Sequence, residues 1–359
     1  MNLIELHLLQ SFPVTCLNRD DLGAPKSAVF GGAQRARISS QSWKRAIRSL
    51  AREYDGSRFA GKRTRFVIQD LKTWLLANCL GRLDRAGKGD VKTLLYFSPL
   101  EIESMARNLL ELEPDLLLKR CEDSDPESES GKKEIEKAEK ELKNMVTKAV
   151  KGVTGAVKDK ADIAIFGRMV ADDHSLMVEG AGLFSHALST HATDNEIDFF
   201  CAVDDDQTRG TDRGAGHIGT LEFNAACYYR YVGLNLDMLA DADHLGHLDQ
   251  TEINDVVRHF LKSAILAVPG ARKNSMFGWT PPEYALGLKR AGQPLSLVNA
   301  FEKPIYSSNG YVEKSKDTLV SHWNTLKDRF CLSDGVKTEA QLPPCIWINS
   351  SIICSDKGN

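Results

Sequence analysis

Residues 3–9, LIELHLL, alternate so that Ile4, Leu6 and Leu8 make one wholly apolar face while Leu3, Glu5, His7 and Leu9 share the other. That period of two predicts a half-buried strand. The period lengthens in SSQSWKRAIRSLAREY, where Trp43, Ala46, Ile47, Leu50, Ala51 and Tyr54 fall on one helical face behind serines suited to capping. Lys44, Arg45, Arg48 and Arg52 fall off that stripe.

From 55 to about 180 the pattern is helical and irregular. Val67, Ile68, Leu71, Trp74 and Leu75 keep helical register, and SPLEIESMARNLLEL opens with Ser98, Pro99 and Glu101, the spacing of a capping box. EDSDPESESGKKEIEKAEKELKNMVTKAVKG has no aromatic residue and reads as a loop feeding a solvated, lysine-rich helix. Strand-like alternation returns at 183–191, a polar glycine-rich stretch occupies 192–217, and a long strand covers 218–232. A helix over 251–270 and a strand over 283–290 follow. With the two insertions removed, βαββαβ remains, an α+β split plan in which a four-stranded sheet can present a nucleic-acid surface. This is the ferredoxin-like, RRM-like arrangement; its aromatic sheet motif is absent, so base stacking on the sheet is not expected.

The 359 residues are 42% hydrophobic and 26% charged, ordinary for a globular protein. No apolar run reaches the roughly 18–20 residues that cross a bilayer, and MNLIE lacks the basic start of a signal peptide, so a cytoplasmic location without membrane contact is expected. Eight cysteines without a C-x-x-C pair read as buried small apolar residues. Neither they nor the nine histidines show zinc-ligand spacing, so no metal and no cofactor is expected.

The formal net charge of −3 conceals a strong local bias. Arg19, Lys26, Arg35, Arg37, Lys44, Arg45, Arg48 and Arg52 face only Asp20 and Asp21 in the same span. A solvated helix face is one explanation. The other is an anion track. Gly31 and Gly32 can turn successive N–H groups toward an anion. Ser39, Ser40, Gln41 and Ser42 sit at a helix start, where free N–H groups and the dipole favour phosphate. Arg35 and Arg37 alternate in extended chain and therefore point the same way. No base-reading pattern accompanies them, so binding along this track would be sequence-tolerant.

The fragments CLNRDD, FGG, RISSQSWKRAIR, GRM, THATDNEIDFFCAVDD, HIGTLEF, YYRY, VPGA and NAFEK stand in the order seen in the CasC family, which the chain resembles over most of its length. That family supplies the repeated backbone subunit of Cascade, the type I-E CRISPR surveillance complex. The resemblance implies a palm at 1–54, a helical fingers insertion at 55–180, palm again at 181–191, a β-hairpin thumb at 192–217, and the remaining palm with a C-terminal segment at 218–359. It places Arg19, Lys26, Arg37, Ser39, Gln41, Lys44 and Arg48 on the backbone of a CRISPR RNA and adds Arg168 of GRM to that set. Met169 and Phe200 fall where apolar side chains wedge against the guide–target duplex, with His217 in the thumb. The family's basic residues after the glycine pair are replaced here by Ala33 and Gln34.

The implied partners are CRISPR RNA, target DNA through the guide, further copies of the chain, other Cascade subunits and a recruited helicase-nuclease. Lys132, Lys133, Lys137 and Lys140 read either as a solubilising surface or as an electrostatic path for the DNA duplex. The expectation is a non-catalytic subunit. The competing one is a metal-dependent ribonuclease using Asp20 or Asp21, as in type III backbone subunits.

Overall fold

The computed structural model describes residues 1–64, 95–111, 128, 133, 137, 158–169, 177–202 and 217–342. The first strand, β1 (Asn2–Thr15), is followed by β2 (Ser27–Phe30), β3 (Ala33–Ile38) and α1 (Ser40–Tyr54). Then come β4 (Lys62–Thr64), β5 (Leu95–Phe97), α2 (Pro99–Glu111) and α3 (Ala161–Phe166). Next are β6 (Gly182–Phe184), β7 (Ala187–Ser189), β8 (Glu196–Ala202) and β9 (His217–Asn235). The chain continues through α4 (Leu236–Leu239), α5 (Gln250–Leu266), β10 (Tyr284–Ala291), α6 (Val312–Arg329) and β11 (Val336–Leu342).

Two compact units result, one of Met1–Tyr54, Gly182–Asp237 and Val257–Asn359, the other of Asp55–Ala181 and Met238–Val256. The first is a mixed α+β unit built on a large antiparallel sheet ordered β11-β10-β1-β9-β7-β3-β2, with β6 and β8 also paired to β9. Its first strand, β1, is interior and pairs with β10 on one side and β9 on the other.

β1 departs from the expected half-buried strand. Leu3, Leu9, Glu5 and His7 are as deeply buried as Ile4, Leu6 and Leu8. The reason lies near the C-terminus, where sequence periodicity had placed nothing. Leu297, Phe301, Ile305, Leu319 and Trp323 pack with Leu9, Tyr229, Tyr231 and Leu286, so the segment ending in α6 covers this face of the sheet. Glu5 is satisfied there by an ion pair with Arg290, by the Tyr231 hydroxyl at 2.8 Å and by the Leu295 N–H at 2.8 Å. The opposite face carries Arg230, which stacks 4.2 Å from the Trp43 ring of α1 and donates to the Ala264 and Ile265 carbonyls of α5.

In the second unit, β4 pairs with β5, a two-stranded element within a region expected to be helical. The capping box forms as its spacing predicts: Glu101 accepts the Ser98 N–H at 2.9 Å and Ser98 Oγ accepts the Glu101 N–H at 3.2 Å. Of the described cysteines, Cys16 and Cys227 are buried, but Cys201 and Cys331 are exposed, against the expectation that all are interior. Among the described residues no helix is long and apolar enough to cross a membrane, and no three His, Cys, Asp or Glu side chains gather as a metal site.

Candidate nucleic-acid interface

The glycine pair makes a tight hairpin. Gly31 and Gly32 have φ of +59° and +74° and join β2 to β3 with Phe30 opposite Ala33. Two consecutive left-handed residues are what the tightest hairpin turns need. The hairpin lies at the sheet edge, and its strand β3 carries both arginines in two different environments. Arg37 is only half-buried, its Nε donating to the Ser27 carbonyl at 3.4 Å. Arg35 is fully buried and donates to the carbonyls of Ser189 at 2.9 Å, Phe301 at 2.9 Å and Glu302 at 3.2 Å. Alternation puts both on one side of the strand, but the C-terminal segment covers only Arg35. The expectation that Arg35 faces a ligand is thereby corrected.

Behind β3, the loop over residues 16–26 folds around Asp20, whose Oδ1 accepts the N–H groups of Leu22 and Ala24 at 2.9 Å each. It exposes Arg19 and brings Lys26 beside Arg37, whose N–H donates to the Lys26 carbonyl at 2.9 Å. Asn18 of this loop accepts the Ser39 N–H at 2.8 Å and so ties it to the start of α1.

The helix start itself is not an open anion site. The Ser40 N–H donates to His186 Nδ1 at 2.9 Å, Gln41 N–H to Ser39 Oγ at 3.3 Å, and the N–H groups of Ser42 and Trp43 to the Ser39 carbonyl. Each donor of the first turn has a partner within the chain, which corrects the expectation of free N–H groups; the dipole remains. Burial, and then the charges of Arg37 and Lys26, hold the His186 imidazole below its ordinary pKa. A neutral ring is what the Ser40 N–H requires of its acceptor. Two residues before His186, the Phe184 ring lies 5.1 Å from Lys44 Nζ. The charges of Lys26 and Arg37 therefore act on the ring that the first turn of α1 bonds, and Lys44 stands one turn further along that helix over Phe184, with Arg45 exposed and Arg48 half-buried beyond it.

A second basic stretch adjoins this loop. Arg272 reaches the Gly23 carbonyl at 3.5 Å, and its charge, with that of Arg19, opposes the upward push of burial on the Cys16 thiol.

The remaining candidates are scattered. Arg168 is buried in the second unit, ion-paired to Glu101 at 2.9 Å, bonded to the Tyr96 carbonyl and set over the Phe97 ring. A guanidinium so engaged anchors α2 and does not face a phosphate, which corrects its assignment to the RNA set. Its neighbour Met169 is 79% exposed. Phe200 is 38% exposed on β8, which pairs with β9 from Glu196↔Phe223 to Ala202↔His217. Lys133 and Lys137 are helical and exposed, while Lys132 and Lys140 lie outside the described residues.

A family model described as CT1975-like protein matches residues 4–342. The chain belongs to the CT1975-like Cas family. A chain of a solved structure entitled CRISPR RNA-guided surveillance complex, pre-nicking, is similar at 27% identity over 91% of this chain and 89% of that one, with a TM-score of 0.71. A chain from a second CRISPR RNA-guided surveillance complex is 25% identical over 91% of this chain and 84% of its own, with a TM-score of 0.57. No curated protein matches the sequence.

In this CT1975-like chain the residues that sequence reasoning missed are Asn18 and His186. Neither carries a charge signal; each matters because it accepts an N–H at the start of α1 from a distant loop. Only CLNRDD, which contains Asn18, marked its neighbourhood in advance.

Proposed function

We propose that this chain is the repeated guide-RNA-binding backbone subunit of a type I-E CRISPR surveillance complex. The charges of Lys26 and Arg37 beside the His186 ring that bonds the first turn of α1, with Lys44 one turn along the same helix, carry the reading. Similarity to chains of RNA-guided complexes supports it. In this account the sheet unit is an RRM-like palm whose usual base-stacking face is closed by the C-terminal segment, so the RNA runs along the palm's basic edge. Arg19, Lys26, Arg37, Lys44, Arg45 and Arg48 neutralise guide phosphates, and the first turn of α1, Ser39 to Ser42, contributes its dipole. The β8–β9 hairpin is the thumb, with His217, and Phe200 on it and Met169 in the other unit are each an apolar wedge against the guide–target duplex.

Copies stack along the guide, and pairing between guide and target DNA supplies sequence specificity, so the protein need only hold the RNA in shape. Lys133 and Lys137 lie on the proposed duplex path. Other subunits and a recruited helicase-nuclease complete the complex in the cytoplasm. The chain itself is non-catalytic. The bonds from Asp20 Oδ1 to two backbone N–H groups support a structural task for that carboxylate.

Co-expression with a CRISPR transcript tests this. The expected product is an elongated particle whose absorbance ratio reports bound RNA, and which leaves matched labelled RNA intact in Mg²⁺. An RNA-free protein would contradict the reading. Cuts at regular spacing would convert it into the ribonuclease alternative.

A further inference from the structure

We propose that the loop between α5 and β10 is a second nucleic-acid contact, a stacking platform for the bases of a single-stranded polynucleotide. The inference rests on the reading above, because it extends the same strand beyond Arg19.

Two large aromatic rings stand out of this loop, Phe277 at 77% exposure and Trp279 at 49%. Both are held by a fixed backbone. Gly278, between them, is buried against the end of β1, where a Cβ would come within 2.0 Å of Thr15 Cγ2. β1 leaves its register with β9 between Phe12 and Thr15, which makes the seat for this contact. Trp279 Nε1 donates to the Leu266 carbonyl at 3.2 Å, fixing one edge of the indole. At the other end Arg272 adopts a left-handed φ of 51°, and its carbonyl accepts the N–H groups of Ser275 at 3.1 Å and Met276 at 2.8 Å.

Charge selects the occupant. Arg272 and Lys273 precede the rings, and the single carboxylate of the loop 267–283, Glu283, stands at its far end against β10. The Arg272 guanidinium reaches the Gly23 carbonyl, so the platform abuts the loop that carries Arg19. Cations interleaved with exposed, immobilised aromatic rings bind single strands with little sequence preference, because every base offers a π face. A protein partner would need its own carboxylates here, whereas a polynucleotide supplies both the anions and the rings.

The test uses the full chain, fluorescein-labelled rU20 and dT20, and the variants Phe277→Ala, Lys273→Gln and Arg37→Ala, with melting curves to verify folding. Phe277→Ala is expected to weaken oligonucleotide binding about 5- to 150-fold with an unchanged salt slope. Lys273→Gln should lower that slope by about 0.7. A loss confined to rU20 assigns the guide, one confined to dT20 assigns the target strand, and a loss on both marks a sugar-tolerant platform; each supports the proposal. Wild-type affinity in Phe277→Ala alongside a loss in Arg37→Ala overturns the platform and leaves the basic track standing. Wild-type affinity in both overturns the track as well. A Phe277→Ala variant that changes only the sedimentation of the guide-loaded assembly makes the loop a contact between protein copies, and overturns the proposal.

Discussion

Arg35 and Arg37 project from the same side of one strand, yet Arg35 is sealed against the carbonyls of Ser189, Phe301 and Glu302 while Arg37 is only half-buried beside Ser27. Their substitutions should therefore separate stability from binding. Arg35→Met leaves three carbonyls without that donor and should cost about 2–4 kcal/mol, read as a lowered denaturation midpoint. Arg37→Ala should change stability by no more than about 0.5 kcal/mol while reducing RNA retention equally for two unrelated guide sequences. A sequence-selective loss would contradict the phosphate assignment.

The hairpin turn offers a second contrast. A Cβ on Gly31 would lie 1.6 Å from the Glu302 carbonyl oxygen, whereas one on Gly32 meets nothing within 4 Å, although both have positive φ. Gly32→Ala should cost only the backbone penalty of about 1–2 kcal/mol. Gly31→Ala should cost clearly more, because the hairpin must also lift off the C-terminal segment. Equal chemical-denaturation midpoints for the two variants would refute that contact.

The buried His7 makes stability depend on pH. Burial, and then the charge of Arg290, push its pKa down to about 3, and its Nδ1 lies 2.9 Å from the Tyr229 hydroxyl. Unfolded, the ring takes a proton below about pH 6.5; folded, it stays neutral down to about 3, so acid favours the unfolded chain. His7 alone should remove about 2 kcal/mol between pH 7 and pH 5. His7→Asn, which keeps a partner near Tyr229 but cannot titrate, should flatten that part of the profile. Urea melts at pH 5, 6 and 7 on both proteins would reveal an unaltered slope if another group is responsible.

Local chemistry was legible in the chain. Ser98 and Glu101 announced a capping box, Trp43, Ile47 and Ala51 marked the buried face of α1, and the alternation of 3–9 marked a strand. What the chain could not disclose was cover. Period two reports that Glu5 and His7 share a face, not that Arg290, 285 positions away, and α6 close over it. The same limit misled the reading of Arg35, whose side was predictable and whose burial was not. At α1, four serine-rich positions implied open N–H groups because His186, 146 residues downstream, gives no local sign that it will supply an acceptor.

The central claim is that the edge formed by Lys26, Arg37 and Lys44 holds a polyanion. Its most direct test is the salt dependence of guide-RNA affinity in the Lys26→Ala/Arg37→Ala/Lys44→Ala triple variant, compared with the unaltered chain. Three lost phosphate contacts should lower the slope of log K against log salt by about 2. An unchanged slope would mean that these cations touch no phosphate.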